Sequence, residues 1–197
     1  VEAITLVSAQ STSLYSGLIP ACLSGSVAPE ACVLDLAGLC RAAAVNFVQA
    51  TVTGLDTANR QLSLKGDRPP LAYDWLSLNL GAEVRAPKRP GCLPIKPLEP
   101  VLAALAALPI GAAVRVVGSG PAAAEVSLAL AARGFAVRLS AKPERAFWQG
   151  FHGALRAAGV QLDAAVQSCD VELEVHCTGS WGPGWLAQSG LALDGRG

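Results

Sequence analysis

The chain has 197 residues, 52% of them apolar and 15% charged, a composition typical of a well-packed globular protein. Fifteen basic residues balance fifteen acidic ones and aromatic residues make up only 5%, so the basic surface typical of nucleic-acid binding is not indicated. The longest apolar stretch, residues 101–117, is interrupted by Pro109 and Gly111. We therefore predict neither a nucleic-acid partner nor a membrane span.

The six cysteines lack the C-x-x-C spacing of zinc and redox motifs, and the chain has only two histidines. We predict no metal site, and we expect reduced, mostly buried cysteines of a cytoplasmic protein. The absence of methionine and the start at Val1, inside an apolar strand pattern, lead us to expect a piece of a longer polypeptide.

The first half of the chain predicts short strands and one helix. The predicted elements are a buried parallel strand at 1–8, a Ser- and Gly-rich loop at 9–26, a helix at 34–44, a strand at 46–50, a hairpin of 51–55 with 61–64 around a turn at 56–59, and a buried strand at 71–80. Five prolines between residues 81 and 100 cannot continue a helix or a central strand. We place the domain boundary there, giving domains 1–92 and 93–197.

The second half alternates strands and helices. The predicted order is a helix at 101–108, a strand at 113–117, a helix at 121–133, a strand at 135–140, a helix at 146–158 and strands at 160–162 and 171–177. Such alternation indicates an α/β fold with a parallel, doubly wound sheet.

One motif carries chemistry. Residues 113–117 run into Gly-x-Gly-x-x-Ala at 118–123 and then directly into a helix. Gly118 fits the tight turn, Gly120 allows backbone to approach a diphosphate, and Ala123 permits close packing of helix on strand. Pro121 suits the first helical position, and the helix N-terminus offers amide donors to an anion. The motif therefore predicts a dinucleotide-binding turn.

Two positions near this motif leave alternatives open. The acidic residue that usually binds the ribose of NAD about twenty residues on is replaced by Ser140, Ala141 and Lys142, so the pattern fits either NADP or a site that has lost its nucleotide. Glu125 is the one carboxylate in an apolar helix, and it either faces water or has a polar partner in a cleft.

The chain resembles the pyridine nucleotide-disulfide oxidoreductase superfamily, most of all proteins similar to type II NADH dehydrogenases and the flavoprotein module fused to some selenophosphate synthetases. Four segments carry the resemblance: Leu14 to Pro20, Tyr73 to Gly81, Leu93 to Pro97, and Val116 to Glu125. It implies two Rossmann-like lobes, the first an incomplete FAD domain and the second an NAD(P) domain. It also implies a homodimer and peripheral membrane contact through segments outside this chain.

The resemblance also implies roles for individual residues. Lys96 and Glu125 would be the catalytic residues at the flavin–nicotinamide junction. The cofactor-binding residues it implies are Ser8, Tyr15, Gly17, Pro20, Thr51, Val52, Asn79 and Gly81 for FAD, and Gly118, Gly120, Ala123, Lys142, Thr178 and Gly179 for NAD(P)H. The reaction implied is hydride transfer from NAD(P)H to FAD and on to a small acceptor such as a quinone.

The sequence departs from this family in three ways. The family's first FAD-binding Gly-x-Gly-x-x-Gly segment and its Gly-Asp segment for the ribityl chain are missing, and no C-x-x-x-x-C pair follows the first strand, so we do not expect disulfide reductase chemistry. The hairpin that the family carries between residues 160 and 171 is much shortened. A second hypothesis is therefore kept, a degenerate Rossmann module with a structural or interaction role and no catalysis of its own.

Overall fold

The computed structural model describes residues 3–141, 147–163 and 171–195. The chain divides into two compact units, each built from segments that are not contiguous in sequence. The first unit comprises Val1–Tyr15, Val33–Ala82 and Trp181–Gly197, and the second comprises Ser16–Cys32 and Glu83–Ser180. The assignment of 1–92 to FAD and 93–197 to NAD(P) stays a prediction.

The first unit is made of small sheets. Its strands are β1 (Thr5–Ser8), β2 (Thr12–Leu14), β3 (Val33–Asp35), β4 (Asn46–Gln49), β5 (Val52–Asp56), β6 (Gln61–Leu64) and β7 (Leu71–Ala72). β1 pairs in parallel with β4, β2 pairs antiparallel with β3, and β5, β6 and β7 form an antiparallel sheet. Asp35 caps the helix that precedes β4, because its carboxylate accepts a 2.9 Å hydrogen bond from the amide of Gly38.

The helices and the remaining strands complete the chain order. The helices are α1 (Ile19–Leu23), α2 (Leu36–Ala42), α3 (Glu99–Ala107), α4 (Pro121–Ala132) and α5 (Phe147–Ala157), and the strands are β8 (Cys92–Pro94), β9 (Ala113–Val117), β10 (Ala136–Ser140), β11 (Gln161–Asp163) and β12 (Leu173–His176). None of the helices in the described ranges is both long and apolar enough to cross a membrane.

The second unit contains a five-stranded, all-parallel sheet in the order β11-β10-β9-β12-β8. Val114, Val116, Leu139 and Val175 are fully buried in it, as expected for parallel strands covered by helices. α4 packs on β9 and β10. The predicted α/β fold with a doubly wound parallel sheet is therefore confirmed, and β9, α4 and β10 lie within a residue of their predicted bounds.

Three predicted elements were wrong in part. The predicted loop at 9–26 contains β2 and α1. The first strand is parallel but not buried, with Leu6 37% exposed, because β1 has a neighbour on one side only in the described part of the chain. The predicted buried strand at 71–80 stops at Ala72, and Trp75 is 89% exposed.

The early end of β7 follows from its partner. β7 runs antiparallel to β6, pairing Leu71 with Leu62 and Ala72 with Gln61. The next residue back along the partner is Arg60, which lies in the hairpin turn with φ of 52° and accepts a last hydrogen bond from Tyr73. Residues beyond Tyr73 thus have no strand to pair with on this side, although their composition is that of a buried strand.

Candidate functional site: the carboxyl edge of the parallel sheet

The turn between β9 and α4 has the geometry that its sequence predicts. A Cβ at Gly118 would collide with the backbone carbonyl of Cys177 and would lie 3.1 Å from the Cβ of Ala123. Ala123 is itself fully buried. Gly118 and Ala123 are therefore small because the turn, the helix and the neighbouring strand pack against each other at this point.

Gly120 differs from Gly118. A Cβ at Gly120 would meet no atom within 4 Å, and the residue has an extended conformation with φ of −112° that any amino acid adopts. The protein itself therefore gives no steric or conformational reason for glycine here. The residue is the N-cap of α4, with Pro121 in the first turn and no side-chain capping bond. The open space lies at a helix N-terminus, where an anion is stabilised by amide donors and the helix dipole.

The second predicted turn lies beside the first. β12 is the neighbour of β9, and the amide of Cys177 donates a 2.7 Å hydrogen bond to the carbonyl of Val117. Thr178 and Gly179 follow directly; the Thr178 hydroxyl donates a 2.8 Å hydrogen bond to the carbonyl of Arg85, and Gly179 has φ of 105°. The structure thus brings Thr178 and Gly179 to the same sheet edge as Gly118.

This edge is also where the strand order reverses. From β9 the chain moves to β10 on one side and later reaches β12 on the other. In open α/β sheets, ligands bind in the crevice outside the carboxyl ends of the strands at such a switch point. The motif and the topology therefore indicate the same location.

The end of β10 lacks the acidic residue that would bind a ribose. Ser140 is 4% exposed, and its hydroxyl has no hydrogen-bond partner in the described part of the chain. Its carbonyl accepts a 3.0 Å hydrogen bond from the amide of Gly118, which connects the strand end to the glycine turn. Lys142 lies outside the described residues.

The two predicted catalytic residues are exposed on the second unit. Glu125, in the first turns of α4, faces solvent, so the alternative of a partnered carboxylate in a cleft finds no support within this unit. Lys96 follows β8 and is also exposed, and a 3.0 Å hydrogen bond from the amide of Ile95 to the carbonyl of His176 fixes the chain just before it. Within the described residues neither side chain makes an ion pair, and their catalytic roles stay predictions.

In the first unit, a cavity of about 430 Å³ lies at the ends of β1 and β4. It is lined by Ala9, Gln49, Ala50, Thr51, Lys65 and Arg68. Thr51 was predicted for this place, and Ser8 lies next to Ala9, with its hydroxyl 3.4 Å from the amide of Gln10. Lys65 and Arg68 were missed by sequence reasoning; the signal that could have found them is a pair of basic residues directly after the second hairpin strand.

The other residues predicted around FAD are exposed, except Pro20 and Val52, which are half-buried. Tyr15 is 54% exposed, Gly17 precedes α1, and Pro20 is in the first turn of that helix. Val52 begins β5, while Asn79 and Gly81 are exposed residues of the irregular segment after β7. Their roles stay predictions.

Sequence reasoning missed a buried polar cluster in the sheet. The Glu174 side chain is 3% exposed and accepts hydrogen bonds from His176 at 2.6 Å, Arg89 at 2.9 Å and Cys92 at 3.2 Å, while Arg115 lies at 3.5 Å. Burial raises the pKa of Glu174, but the hydrogen bonds from His176 and Cys92 and the nearby positive charge outweigh it and hold that pKa below its ordinary value.

This cluster contains potential metal ligands. One donor atom each from Cys92, Glu174 and His176 lies within 4.8 Å of the others. The guanidinium groups of Arg89 and Arg115, however, point at the same carboxylate, and two positive charges oppose a further cation. The donor atoms are also as close as hydrogen bonds require, so the carboxylate is already satisfied. The cluster therefore fits a buried ionic network better than a metal centre.

The cysteines have the environment expected from composition. Cys22, Cys32, Cys40, Cys92 and Cys177 are free thiols and buried, whereas Cys169 lies outside the described residues. Burial raises the pKa of Cys177 to about 12. Although Cys177 adjoins the glycine turn, its thiol is therefore protonated at neutral pH and a poor nucleophile.

The parallel sheet and the geometry of its carboxyl edge define the class of fold, which is Rossmann-like. The chain is similar to an engineered water-forming NADPH oxidase bound to NADPH, with 19% identity and a TM-score of 0.75 over 98% of this chain and 51% of that chain. It is similar to the reduced CoADR-RHD of Bacillus anthracis, with 18% identity and a TM-score of 0.78 over 100% of this chain and 42% of that chain. It is also similar to NDH2 of Plasmodium falciparum in complex with NADH, with 14% identity and a TM-score of 0.69 over 92% of this chain and 51% of that chain. These structures confirm the Rossmann-like α/β fold.

The chain spans about half the length of the solved structures that it matches. No protein-family model and no curated protein sequence matches it. At these identities the likeness establishes the architecture, and the activity has to be argued from the site.

Proposed function

We propose that this chain supplies the NAD(P)H-binding site and part of the FAD site of a flavin-dependent oxidoreductase. The observation that carries the proposal is the open space at Gly120. Neither a neighbouring atom nor the backbone conformation requires glycine at this position, and a ligand that approaches the backbone would explain it. A diphosphate placed there would accept hydrogen bonds from the amides of Gly120 and Ala122, since Pro121 has no N–H and the Ala123 amide donates to the Gly120 carbonyl at 3.1 Å.

The residues around this turn suit such a role. Pro121 has no N–H to leave unpaired, and Ala122 is exposed and carries only a methyl group, which is small beside an approaching anion. Thr178 and Gly179, on the adjacent strand end, would border the nicotinamide half of the dinucleotide. These residues bind and orient, which is the protein's contribution when the cofactor carries the reaction.

The cavity of the first unit suits the adenosine end of FAD. Its walls combine backbone at the ends of two parallel strands with the positive charges of Lys65 and Arg68, a combination that attracts a phosphorylated ligand. When bound, FAD supplies the chemistry of hydride acceptance and onward electron transfer. We propose a small-molecule acceptor such as a quinone, with Lys96 and Glu125 near the reacting rings.

A different function is favoured by one observation. The end of β10 carries no carboxylate for a ribose, since the strand ends at Ser140 and Ala141 follows it. A Rossmann module that has lost its nucleotide and acts as a structural or interaction domain would have this feature. Nucleotide titration separates the two functions, since only the oxidoreductase requires saturable binding.

The test is a calorimetric titration of the chain with NADH and with NADPH, using Gly120→Val and Gly153→Val. A Cβ at either glycine meets no atom within 4 Å, but Gly153 is an exposed residue of α5 and not part of the glycine turn. We expect Gly120→Val to lower affinity at least about tenfold, equivalent to about 1.4 kcal/mol, while Gly153→Val changes it little. Equal affinities for the parent and Gly120→Val would refute the proposed site.

A further inference from the structure

A second cavity lies within the second unit, between α3, the loop that follows α1, and the end of α4. Its volume is about 440 Å³, and its walls include Val27 and Ala28 of the loop and Leu102 of α3. The described residues that line this α3 cavity all belong to the second unit, and the glycine turn is not among them. The α3 cavity is therefore a separate candidate site, of a size that accommodates one small molecule.

One face of α3 forms a wall of the α3 cavity. Glu99, in the first turn of the helix, lines the space together with Leu102, Ala103 and Ala106. Their spacing of three or four residues places them on one side of the helix, and the distance from Glu99 to Ala106 along the helix axis is about 10 Å. The wall therefore follows α3 from its first turn to its last.

The two charged residues of the α3 cavity lie toward opposite ends of this wall. Glu99 begins α3. Arg133 follows α4, and the carbonyl of the next residue, Gly134, accepts a 2.9 Å hydrogen bond from the amide of Gly111, which lies just beyond the end of α3. A negative charge thus lies at the start of the wall, and a positive charge lies toward its end.

The Arg133 side chain is held in place and still has donors for a ligand. Its Nη1 donates a 3.4 Å hydrogen bond to the carbonyl of Leu23, and its guanidinium carbon lies 5.9 Å from the centroid of the Phe135 ring. A guanidinium has further N–H donors, and a parallel pair of them matches the geometry of a carboxylate. Because the carbonyl groups at the end of α3 carry partial negative charge, a carboxylate at this place would depend on Arg133.

We propose that the α3 cavity binds a short apolar peptide with free termini, with its carboxylate on Arg133 and its ammonium group near Glu99. An extended peptide of three residues spans about 10 Å, which matches the length of the α3 wall. Its apolar side chains would pack on Val27, Leu102 and Ala106. A ligand with one charged end would interact with only one of the two charges.

The experiment is a calorimetric titration of the chain with the tripeptide Ala-Leu-Ala and with its amidated and acetylated forms. We expect the free peptide to bind saturably and amidation to lower its affinity at least about tenfold. Acetylation should cost less, because Glu99 is exposed and water screens its charge. Arg133→Gln should weaken binding as amidation does, while Arg156→Gln, which removes an exposed charge of α5, should bind like the parent.

Combining the peptide and protein changes separates a direct contact from an effect on folding. If Arg133 holds the carboxylate, amidation should cost little further affinity in Arg133→Gln. An amidation loss of the same size in Arg133→Gln and in the parent would overturn the proposal. A parent chain that shows no saturable binding of the free peptide would overturn it as well.

Two further measurements test the shape of the site and the class of ligand. Ala106→Phe fills the α3 cavity from its wall without changing a charge and should prevent binding, so an unchanged affinity in this variant would contradict the site. Octanoate has a carboxylate at one end only, and tighter binding of octanoate than of the peptide would overturn the peptide as the ligand. No nucleotide is involved, so these results are independent of the proposed oxidoreductase function.

Discussion

At the scale of single residues, we expect the largest change in the free energy of unfolding from removal of the Glu174 carboxylate. It lies within the sheet and faces Arg89, Arg115, His176 and Cys92. Removing one member of a buried ionic network costs several kcal/mol, because the remaining charge stays buried. We expect Glu174→Gln to lower the free energy of unfolding by about 3 kcal/mol, measured by urea denaturation.

The pH dependence of that loss follows from the depressed pKa of Glu174. A group whose pKa is lower in the folded protein stabilises the fold above its unfolded pKa, and this contribution is lost as pH falls through the folded value. The difference in the free energy of unfolding between the parent and Glu174→Gln should therefore be largest at neutral pH. It should become smaller as the pH falls below 4.5, the ordinary pKa of a glutamate side chain. A difference that stays constant to the lowest pH at which the chain folds would contradict this account.

No sequence pattern marked Glu174, for a physical reason. Cys92, Glu174 and Arg115 come from β8, β12 and β9, and only the register of the parallel sheet puts them in one row. Register between distant strands depends on the pairing of the whole sheet and not on local composition. The turn of Gly118, Gly120 and Ala123 could be predicted because its strand, glycines and helix are consecutive in sequence.

At the scale of elements, the junction of β9 and α4 is the best-determined part of the chain. The strand, the two glycines, the proline and the apolar helix are local signals that all favour the same structure, so sequence and structure agree there. The prediction of a strand over 71–80 was wrong beyond Ala72. The composition of the segment is that of a strand, but its partner strand ends at the hairpin turn that contains Arg60. Local sequence patterns predict an element well when its hydrogen bonds are formed within the same segment. They predict it less well when the element is a strand that needs a partner strand from elsewhere in the chain.

The packing of this junction can be tested separately from ligand binding. In Gly118→Ala the new methyl group collides with the carbonyl of Cys177, which is backbone and cannot rotate away. We expect a loss of about 2 kcal/mol in the free energy of unfolding, as for other overpacked cores. Thermal unfolding followed by circular dichroism would measure it. Gly120→Ala is the matched control, and it should leave the unfolding temperature nearly unchanged because its Cβ enters open space.

At the scale of the whole molecule, each unit has its own candidate ligand site. The cavity of the first unit would use Lys65 and Arg68 to hold a phosphorylated adenosine. We expect the double variant Lys65→Gln, Arg68→Gln to bind FAD several-fold more weakly than the parent, measured by quenching of flavin fluorescence. Arg60→Gln, at the exposed hairpin turn, removes one positive charge of the same unit away from the cavity and should have little effect. Similar losses in both variants would show a general charge effect and not a site.

We propose that a nicotinamide dinucleotide binds to this chain with its diphosphate at the N-terminus of α4. The most direct measurement is a two-dimensional ¹H–¹⁵N NMR titration of the chain with NADH and with NADPH. We expect the amides of Gly120 and Ala122 to shift most and to saturate together, because they are the donors nearest to the diphosphate; the Ala123 amide already donates to the Gly120 carbonyl. Saturable shifts elsewhere with the Gly120 and Ala122 amides unmoved, or no saturable shifts at all, would contradict the proposed site.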